Sequence, residues 1–317
     1  MPKINVLNIP NYYCSYYHFG LEQLADLRYT PNQEFAHLNN KPFLVIEYQG
    51  KIAVIENDDP IGVDKKSYDA CDLYFATNKL LAREDYNWPK VNSIYPHYSI
   101  NNCWEYLRLF GVNGALNIGA KEFLRQWYIL YRRPDFINMG RRHLEGNYVF
   151  FAGSIWKKEP WANQIRADFV KACQSNPLIN FEGGMNPRSD GDLCGLPLSV
   201  MDKRYTPGDF AEKSSRSVIG FSNPAVLDAV SWRLAEYWNY SCFVLGFPFK
   251  IDLPTLPEHG KHMHYVQDSA EFTEVLTFVM KNSSYREKVS QGGKDFFESN
   301  CLPKIQAKRI LDLLENS

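Results

Sequence analysis

A succession of short apolar runs, each stopped by a polar or glycine turn, sets the tightest limit on what this chain can fold into. Ile4–Ile9 stops at Pro10, Phe43–Tyr48 at Gln49-Gly50, and Lys51–Glu56 at Asn57-Asp58-Asp59-Pro60. Asp72–Ala76 stops at Thr77-Asn78-Lys79. In the second half Tyr148–Gly153, Ile179–Gly184, Arg216–Phe221 and Cys242–Phe247 repeat the pattern. Runs of this length between turn formers read as buried strands. Helical spacing falls between them. Leu21–Leu27, Lys121–Tyr131, Trp161–Ala172, Glu271–Met280, Ser284–Asn300 and Ile305–Leu314 all carry it. Asn223 followed by Pro224 reads as a cap and a first helical residue, opening a helix to Asn239 with Leu227, Val230, Leu234 and Trp238 as its apolar stripe. Strands alternating with helices imply mostly parallel α/β sheets, whose ligands gather at the carboxyl ends of the strands.

At 317 residues the chain has room for two such α/β domains. Arg132-Arg133-Pro134 ends a helical stretch, and the polar, basic run that follows places the boundary within 135–146. The expected division is therefore 1–140 and 141–300, with 301–317 a terminal helix packing back on the first domain. The formal net charge of −1 excludes a general nucleic-acid binder, which needs a surplus of Lys and Arg. Seven cysteines are scattered without a C-x-x-C pair, as expected of free thiols in a reducing compartment. The start runs from Met1 straight into a strand, and no stretch reaches the ~18 apolar residues of a membrane span. The expected location is cytoplasmic, with at most peripheral membrane association. Aromatic residues make up 15%; core packing accounts for most of them, and sugar stacking is compatible with the rest.

Two segments of the second half carry chemistry suited to a nucleotide. Phe151-Ala152-Gly153-Ser154-Ile155-Trp156-Lys157-Lys158 is a strand, a Gly-Ser turn and then two lysines. Glycine permits close backbone approach to a phosphate, and a hydroxyl and Lys charges can bind its oxygens. In the second segment, Arg233 and Glu236 sit three apart on one side of a helix, preceded by Ser231. A guanidinium can neutralise a diphosphate, and a carboxylate can accept both hydroxyls of a ribose. Read alone, each segment is better explained as an ordinary surface turn or ion pair. His259, His262 and His264 lack the spacing and Cys partners of a zinc site, and no metal is expected.

The order of these pieces resembles the C-terminal domain of GT-B glycosyltransferases of the exostosin-like and group 1 types. The resemblance rests on the strand ending at Ser222-Asn223, then Ser231-x-Arg233-Leu-x-Glu236, then Ser241-Cys-Phe-Val-Leu. Leu256-Pro-Glu-His-Gly, His264-Tyr265-Val266 with Asp268, and Gly292-Gly293 before the final helices complete it. It covers the last third of the chain and extends to 148–215, whereas the first half matches in architecture only. It implies a GT-B fold, two Rossmann-like α/β domains facing across a cleft. It further implies a metal-independent hexosyl- or pentosyltransferase that uses a nucleotide-diphosphate sugar as donor and no separate cofactor. A glycan or lipid-linked glycan would be the acceptor. By the same resemblance Arg233 contacts the diphosphate and Glu236 the ribose, with Ser154, Lys157, Lys158 and Ser231 completing the donor set. Retaining members carry Glu, seven residues, Glu; here Asp228 stands in the first place, inside the expected helix, so retention and inversion both stay open. An inverting enzyme needs a general base, for which Asp59, His18 and Asp58 are the candidates at strand ends of the first domain. A GT-B-like sugar-nucleotide epimerase and a non-catalytic glycan-binding protein are the competing readings. A Rossmann dehydrogenase is disfavoured, because no G-x-G-x-x-G follows any strand.

Overall fold

The structure, a computed structural model, describes residues 2–317; the expected opening at Met1 lies outside them. The chain forms two compact units. Unit 1 holds Met1–Phe136, Lys250–Thr255 and Ser299–Ser317, and unit 2 holds Ile137–Phe249 and Leu256–Glu298.

Unit 1 is built on β1 (Lys3–Val6), α1 (Ser15–Glu22), β2 (Asp26–Tyr29), β3 (Phe43–Tyr48), β4 (Lys51–Glu56), α2 (Lys65–Ala70), β5 (Leu73–Ala76), β6 (Val91–Ser93), α3 (Cys103–Ile118) and α4 (Ala120–Tyr131). Its sheet runs β2-β1-β3-β4-β5-β6. Pairing is parallel except at β3, which lies antiparallel to both β1 and β4. The hairpin between β3 and β4 turns on Gln49 and Gly50, both at positive φ, the geometry that matches strand twist in a two-residue turn. Side chains of β3 alternate between the two faces. Leu44 and Ile46 join a core with α1, α3, α4 and the terminal helix Pro303–Glu315, while Phe43 and Val45 join Phe35, Leu38, Tyr74 and Tyr86 on the other face. The segment Lys250–Thr255 adds an Ile251 bridge to Leu80 and an Asp252–Lys79 ion pair at 2.9 Å.

Residues 11–27 fold differently from the expected Tyr-rich loop followed by a Leu21–Leu27 helix. The helix α1 begins at Ser15, and Asp26-Leu27 already belong to β2. α1 buries Tyr16, Tyr17, His18, Gly20 and Leu21, so polar and aromatic groups point inward where an amphipathic helix would show them outside. Tyr16 donates to the Cys301 carbonyl at 2.6 Å and Tyr17 to Gln306 Oε1 at 3.3 Å, which ties α1 to the terminal helix.

Unit 2 contains β7 (Tyr148–Ser154), α5 (Pro160–Ser175), β8 (Asn180–Asn186), α6 (Pro207–Arg216), β9 (Ile219–Ser222), α7 (Arg233–Asn239), β10 (Phe243–Gly246), β11 (His264–Tyr265), α8 (Phe272–Lys281) and α9 (Ser283–Phe296). β7 pairs parallel with β8, and β9, β10 and β11 form a second parallel set. Ser217 joins the two. Phe150 N–H donates to its hydroxyl at 2.9 Å, and the adjacent Val218 N–H reaches the Tyr148 carbonyl at 2.9 Å. An aromatic core lies beneath, with Phe169 stacked on Phe221 at 4.3 Å.

The helix expected from Pro224 starts only at Arg233. Asn223 spends its side-chain amide on the Pro224 carbonyl (2.8 Å) instead of capping a helix, and Pro224 bridges to Val230. Between them Leu227 and Asp228 both adopt left-handed backbone, which no helix interior accommodates. Asp228 therefore ends a short, distorted 3-10 turn (Val226–Asp228) before α7, not the interior of the expected helix.

Candidate functional site

The residues singled out in the sequence fall into two sets, one in each unit. In unit 2 the set gathers where β7 and β9 end. Ser154 is the last residue of β7 and is exposed, as are Lys157 and Lys158 in the loop that follows. That loop is fastened by the buried Asn163 of α5, which accepts from Trp156 N–H at 2.9 Å and donates to the Trp156 carbonyl at 2.7 Å.

The centre of this region is a residue that sequence reasoning missed, Arg166. It is 1% exposed, and its guanidinium stacks over the Trp156 ring at 3.5 Å. It donates to the Ser154 carbonyl and, at 3.4 Å, to that of Pro224, tying the end of β7 to the loop after β9. Its Nε is buried without a hydrogen-bond partner. Burial first, and the positive field of Arg233 second, pull its pKa down to about 9, against the opposing influence of Glu159, felt through space. A cation with its charge so poorly compensated is costly in a folded protein. The signal for it was present: Arg166 lies on the apolar face of α5 with Ala162, Phe169, Val170 and Cys173, a place where an unpaired charge is rare.

Arg233 opens α7 and lies over the Phe210 ring at 3.3 Å. Its Nη1 stands 3.9 Å from Glu236 Oε2, an i,i+3 pair on one side of the helix. Glu236 is buried and accepts from Tyr240 Oη at 3.2 Å. Ser231 is also buried, and its hydroxyl accepts from Arg233 N–H at 3.4 Å while its carbonyl accepts from Leu234 N–H. The structure thus links Ser154, Arg166, Arg233 and Glu236 in one chain of contacts and fields. Ser231 supports Arg233, and Lys157 and Lys158 stand on the neighbouring loop. The three histidines beyond are engaged locally: His262 accepts from Glu258 N–H, His259 from Tyr265 N–H, and His264 meets Tyr285 Oη at 2.8 Å.

In unit 1, Asp58 and Asp59 lie in the loop after β4. Asp59 is exposed and donates its N–H to Asp58 Oδ1 at 2.9 Å. Asn78 donates to the Asp58 carbonyl at 2.8 Å, and burial raises the Asp58 carboxyl above its ordinary range. The loop is held from below by Glu56, the last residue of β4. Its carboxylate accepts from Tyr74 Oη and, at 2.8 Å, from Tyr86 Oη. Those hydroxyls in turn accept from the N–H groups of Asp64 and Gly62 at the far end of the loop. Burial above all pushes the Glu56 pKa to about 8.

His18 stands apart from these aspartates. It is inside α1, 2% exposed, with Nδ1 accepting from Asn102 at 2.8 Å. Its proton therefore resides on Nε2, 3.8 Å from Glu22, and burial, aided by Arg108, drops its pKa to about 3. Among the described residues no hydrogen bond or ion pair joins His18 to Asp58 or Asp59.

No protein-family model matches the sequence, and no curated protein matches it either. Solved structures do resemble it. A glycosyltransferase from Rickettsia africae superposes with a TM-score of 0.50 at 8% identity, over 80% of this chain and 68% of that one. Anabaena HepE in complex with UDP-glucose gives 0.47 at 10% identity, over 78% of this chain and 64% of that one, so the chain spans less than two thirds of HepE. The C-terminal domain of a group 1 glycosyl transferase from Francisella tularensis gives 0.35 at 16% identity, over 49% of this chain and 85% of that one. The fold is mixed α/β with parallel sheets, of the GT-B type.

Proposed function

We propose that the chain is a glycosyltransferase that moves a sugar from a nucleotide-diphosphate donor to a glycan acceptor hydroxyl without a metal ion. The observation that carries this reading is Arg166, buried in unit 2 between the end of β7 and the loop after β9, with no ion pair among the described residues and with Arg233 close enough to be felt through space. A diphosphate brings two negative charges and paired oxygens that a planar guanidinium can bind two at a time. Lys157 and Lys158 add charge from the loop, and the hydroxyls of Ser154 and Ser231 complete the donor set. Glu236 takes the ribose hydroxyls.

In the reaction the bond between the anomeric carbon and the diphosphate oxygen breaks, and its electron pair leaves with the diphosphate. Cations already in place stabilise that growing charge without reorganising. The acceptor hydroxyl loses its proton as it bonds to the anomeric carbon. The exposed Asp59 carboxylate is the proposed acceptor of that proton, with Asp58 holding its backbone and Glu56 holding the loop. His18, neutral and enclosed, has its role in packing α1.

A thermal-shift panel of UDP, GDP, CMP, dTDP, ADP and NAD, with and without magnesium, tests the proposal. A ligand binding only the folded state at a hundred times its dissociation constant stabilises by about 2.7 kcal/mol. The expected result is stabilisation by one diphosphate, unchanged by magnesium and lost in Arg233→Ala and Glu236→Ala. Indifference to every diphosphate would overturn it, and a response to NAD alone would point to redox chemistry.

A further inference from the structure

A second surface lies on the α3–α4 hairpin of unit 1. Its buried side is ordinary core, formed by Tyr106, Phe110, Phe123 and Leu130. Its outer side is not ordinary. Trp104, Val112, Leu116, Leu124, Tyr128 and Tyr131 are all more than half exposed, with Val112 and Leu116 at 77%. Monomeric surfaces rarely leave large apolar side chains clustered this way without a partner.

Its aromatic members are in contact. Trp104 meets the edge of Trp127 at 6.1 Å, and Trp127 stacks on Tyr131 at 5.7 Å, so the two helices present one aromatic ridge. Leu124, Tyr128 and Tyr131 follow at helical i, i+4, i+7 spacing along α4. Val112 and Leu116 lie on the short segment between Gly111 and Gly119, both in left-handed backbone and both with open space around them. These glycines let that turn of helix carry its apolar residues outward.

Charge identifies the occupant. Residues 104–133 carry Arg108, Lys121, Arg125, Arg132 and Arg133 against Glu105 and Glu122, in a chain whose net charge is −1. Arg108 pairs with Glu22 at 2.9 Å and Arg125 with Glu122 at 2.6 Å, so Lys121 and Arg132 are the cations that bear on the occupant. Two of these cations are set beside the ridge. Arg132 lies over the Tyr128 ring at 5.8 Å, and Lys121 is exposed one turn before Leu124 and Arg125. Trp and Tyr, apolar bodies with polar tips, flanked by long basic side chains, are the side chains that settle at the boundary between acyl chains and headgroups. A second copy of the chain is disfavoured, because pairing this face with itself would bring like charges together. Among the described residues no helix is long and apolar enough to cross a membrane.

We propose that the α3–α4 hairpin docks on the surface of an anionic lipid bilayer. The surface goes beyond the transfer reaction, and its test is independent of it. The full chain is sedimented with phosphatidylcholine vesicles, with and without phosphatidylglycerol, and in parallel its mass is followed by sedimentation velocity without lipid. Binding is expected to require phosphatidylglycerol and to weaken with salt. It should fall about fivefold for each of Lys121→Ala and Arg132→Ala, and further for Leu116→Ser and Trp104→Ser. These side chains are exposed, so the variants should keep the wild-type unfolding temperature and its diphosphate response. A wild type that stays in the supernatant with anionic vesicles overturns the proposal. So does a lipid-free dimer that Leu116→Ser converts to monomer, which would reassign the face to a second copy.

Discussion

Replacing Arg166 by Met should make the ligand-free protein more stable and its diphosphate complex weaker. Arg166 is almost wholly enclosed, with its pKa pulled from the ordinary arginine range to about 9 by burial and by Arg233. At about 1.4 kcal/mol per pH unit, that gap amounts to roughly 5 kcal/mol against the charged form. Two terms offset it. Stacking on Trp156 is worth about 2 kcal/mol when desolvated. The hydrogen bonds to Ser154 and Pro224 carbonyls add ~2 kcal/mol, since one of them is long and Ser154 lies at the surface. Met fills a similar volume and carries none of the solvation cost. The balance favours Met by about 1 kcal/mol, within the range seen when apolar residues replace buried ions.

For a unit of about 150 residues this raises the unfolding midpoint by about 2–4 °C. Loss of a charge-assisted contact to the diphosphate should cost about 1.5–3 kcal/mol, which is a tenfold to hundredfold weaker affinity. Calorimetric unfolding with and without the diphosphate that stabilises the wild type reads both effects. Arg166→Lys is the control, because it retains charge while losing the stacked planar fork. An apo midpoint that falls in Arg166→Met, or an affinity that does not change, would show that Arg166 is a strap between β7 and the loop after β9. The reasoning from an unpaired cation to an anion site would then fail.

Two further predictions concern unit 1. Glu56 holds a proton more tightly when folded, with its pKa raised to about 8, so its contribution is complete below the unfolded value and is lost as pH rises through 8. Urea midpoints should therefore decline from pH 5 to pH 8, by up to ~1.4 kcal/mol per pH unit, and Glu56→Gln should flatten that decline; parallel slopes in the two proteins would refute it. Gly20→Ala places a Cβ 2.2 Å from the Pro303 carbonyl oxygen, at the seat of the terminal helix. Because backbone must move to admit it, a loss of about 3 kcal/mol is expected in urea denaturation, and an unchanged midpoint would mean that α1 and the terminal helix part easily.

Much of the strand pattern was readable because burial and turn chemistry agree at those places. β3 and β4 are apolar runs closed by Gln49-Gly50, and both residues do adopt the positive φ that such a turn demands. β7 reads equally well, since Val149 to Ala152 are all buried and Gly153 follows. α1 was hidden for the opposite reason: Tyr16, Tyr17 and His18 are polar enough to suggest a loop, yet each finds a partner inside. β2 and β6 are short, and β2 shows outward-facing charges at Asp26 and Arg28 that mask its strand character.

The stretch from Asn223 to Trp232 shows how a locally sound signal loses to tertiary demand, and the outcome bears on the chemistry. Cap, proline and apolar stripe all argued for helix, but only Leu234 and Trp238 of that stripe reach full burial, while Leu227 is 47% exposed. A helix from Pro224 would have held the Pro224 carbonyl in its own ladder. Released from it, that carbonyl accepts from Asn223 and from Arg166. The irregular loop is thus what lets Arg166 of α5 tie the end of β7 to the loop after β9, and it leaves Asp228 in the segment preceding α7, eight residues before Glu236. Sequence periodicity sees only neighbours along the chain; a contact between residues 166 and 224 is set by the sheet, and from sequence alone the trace of it is a single charge on the wrong face of a helix.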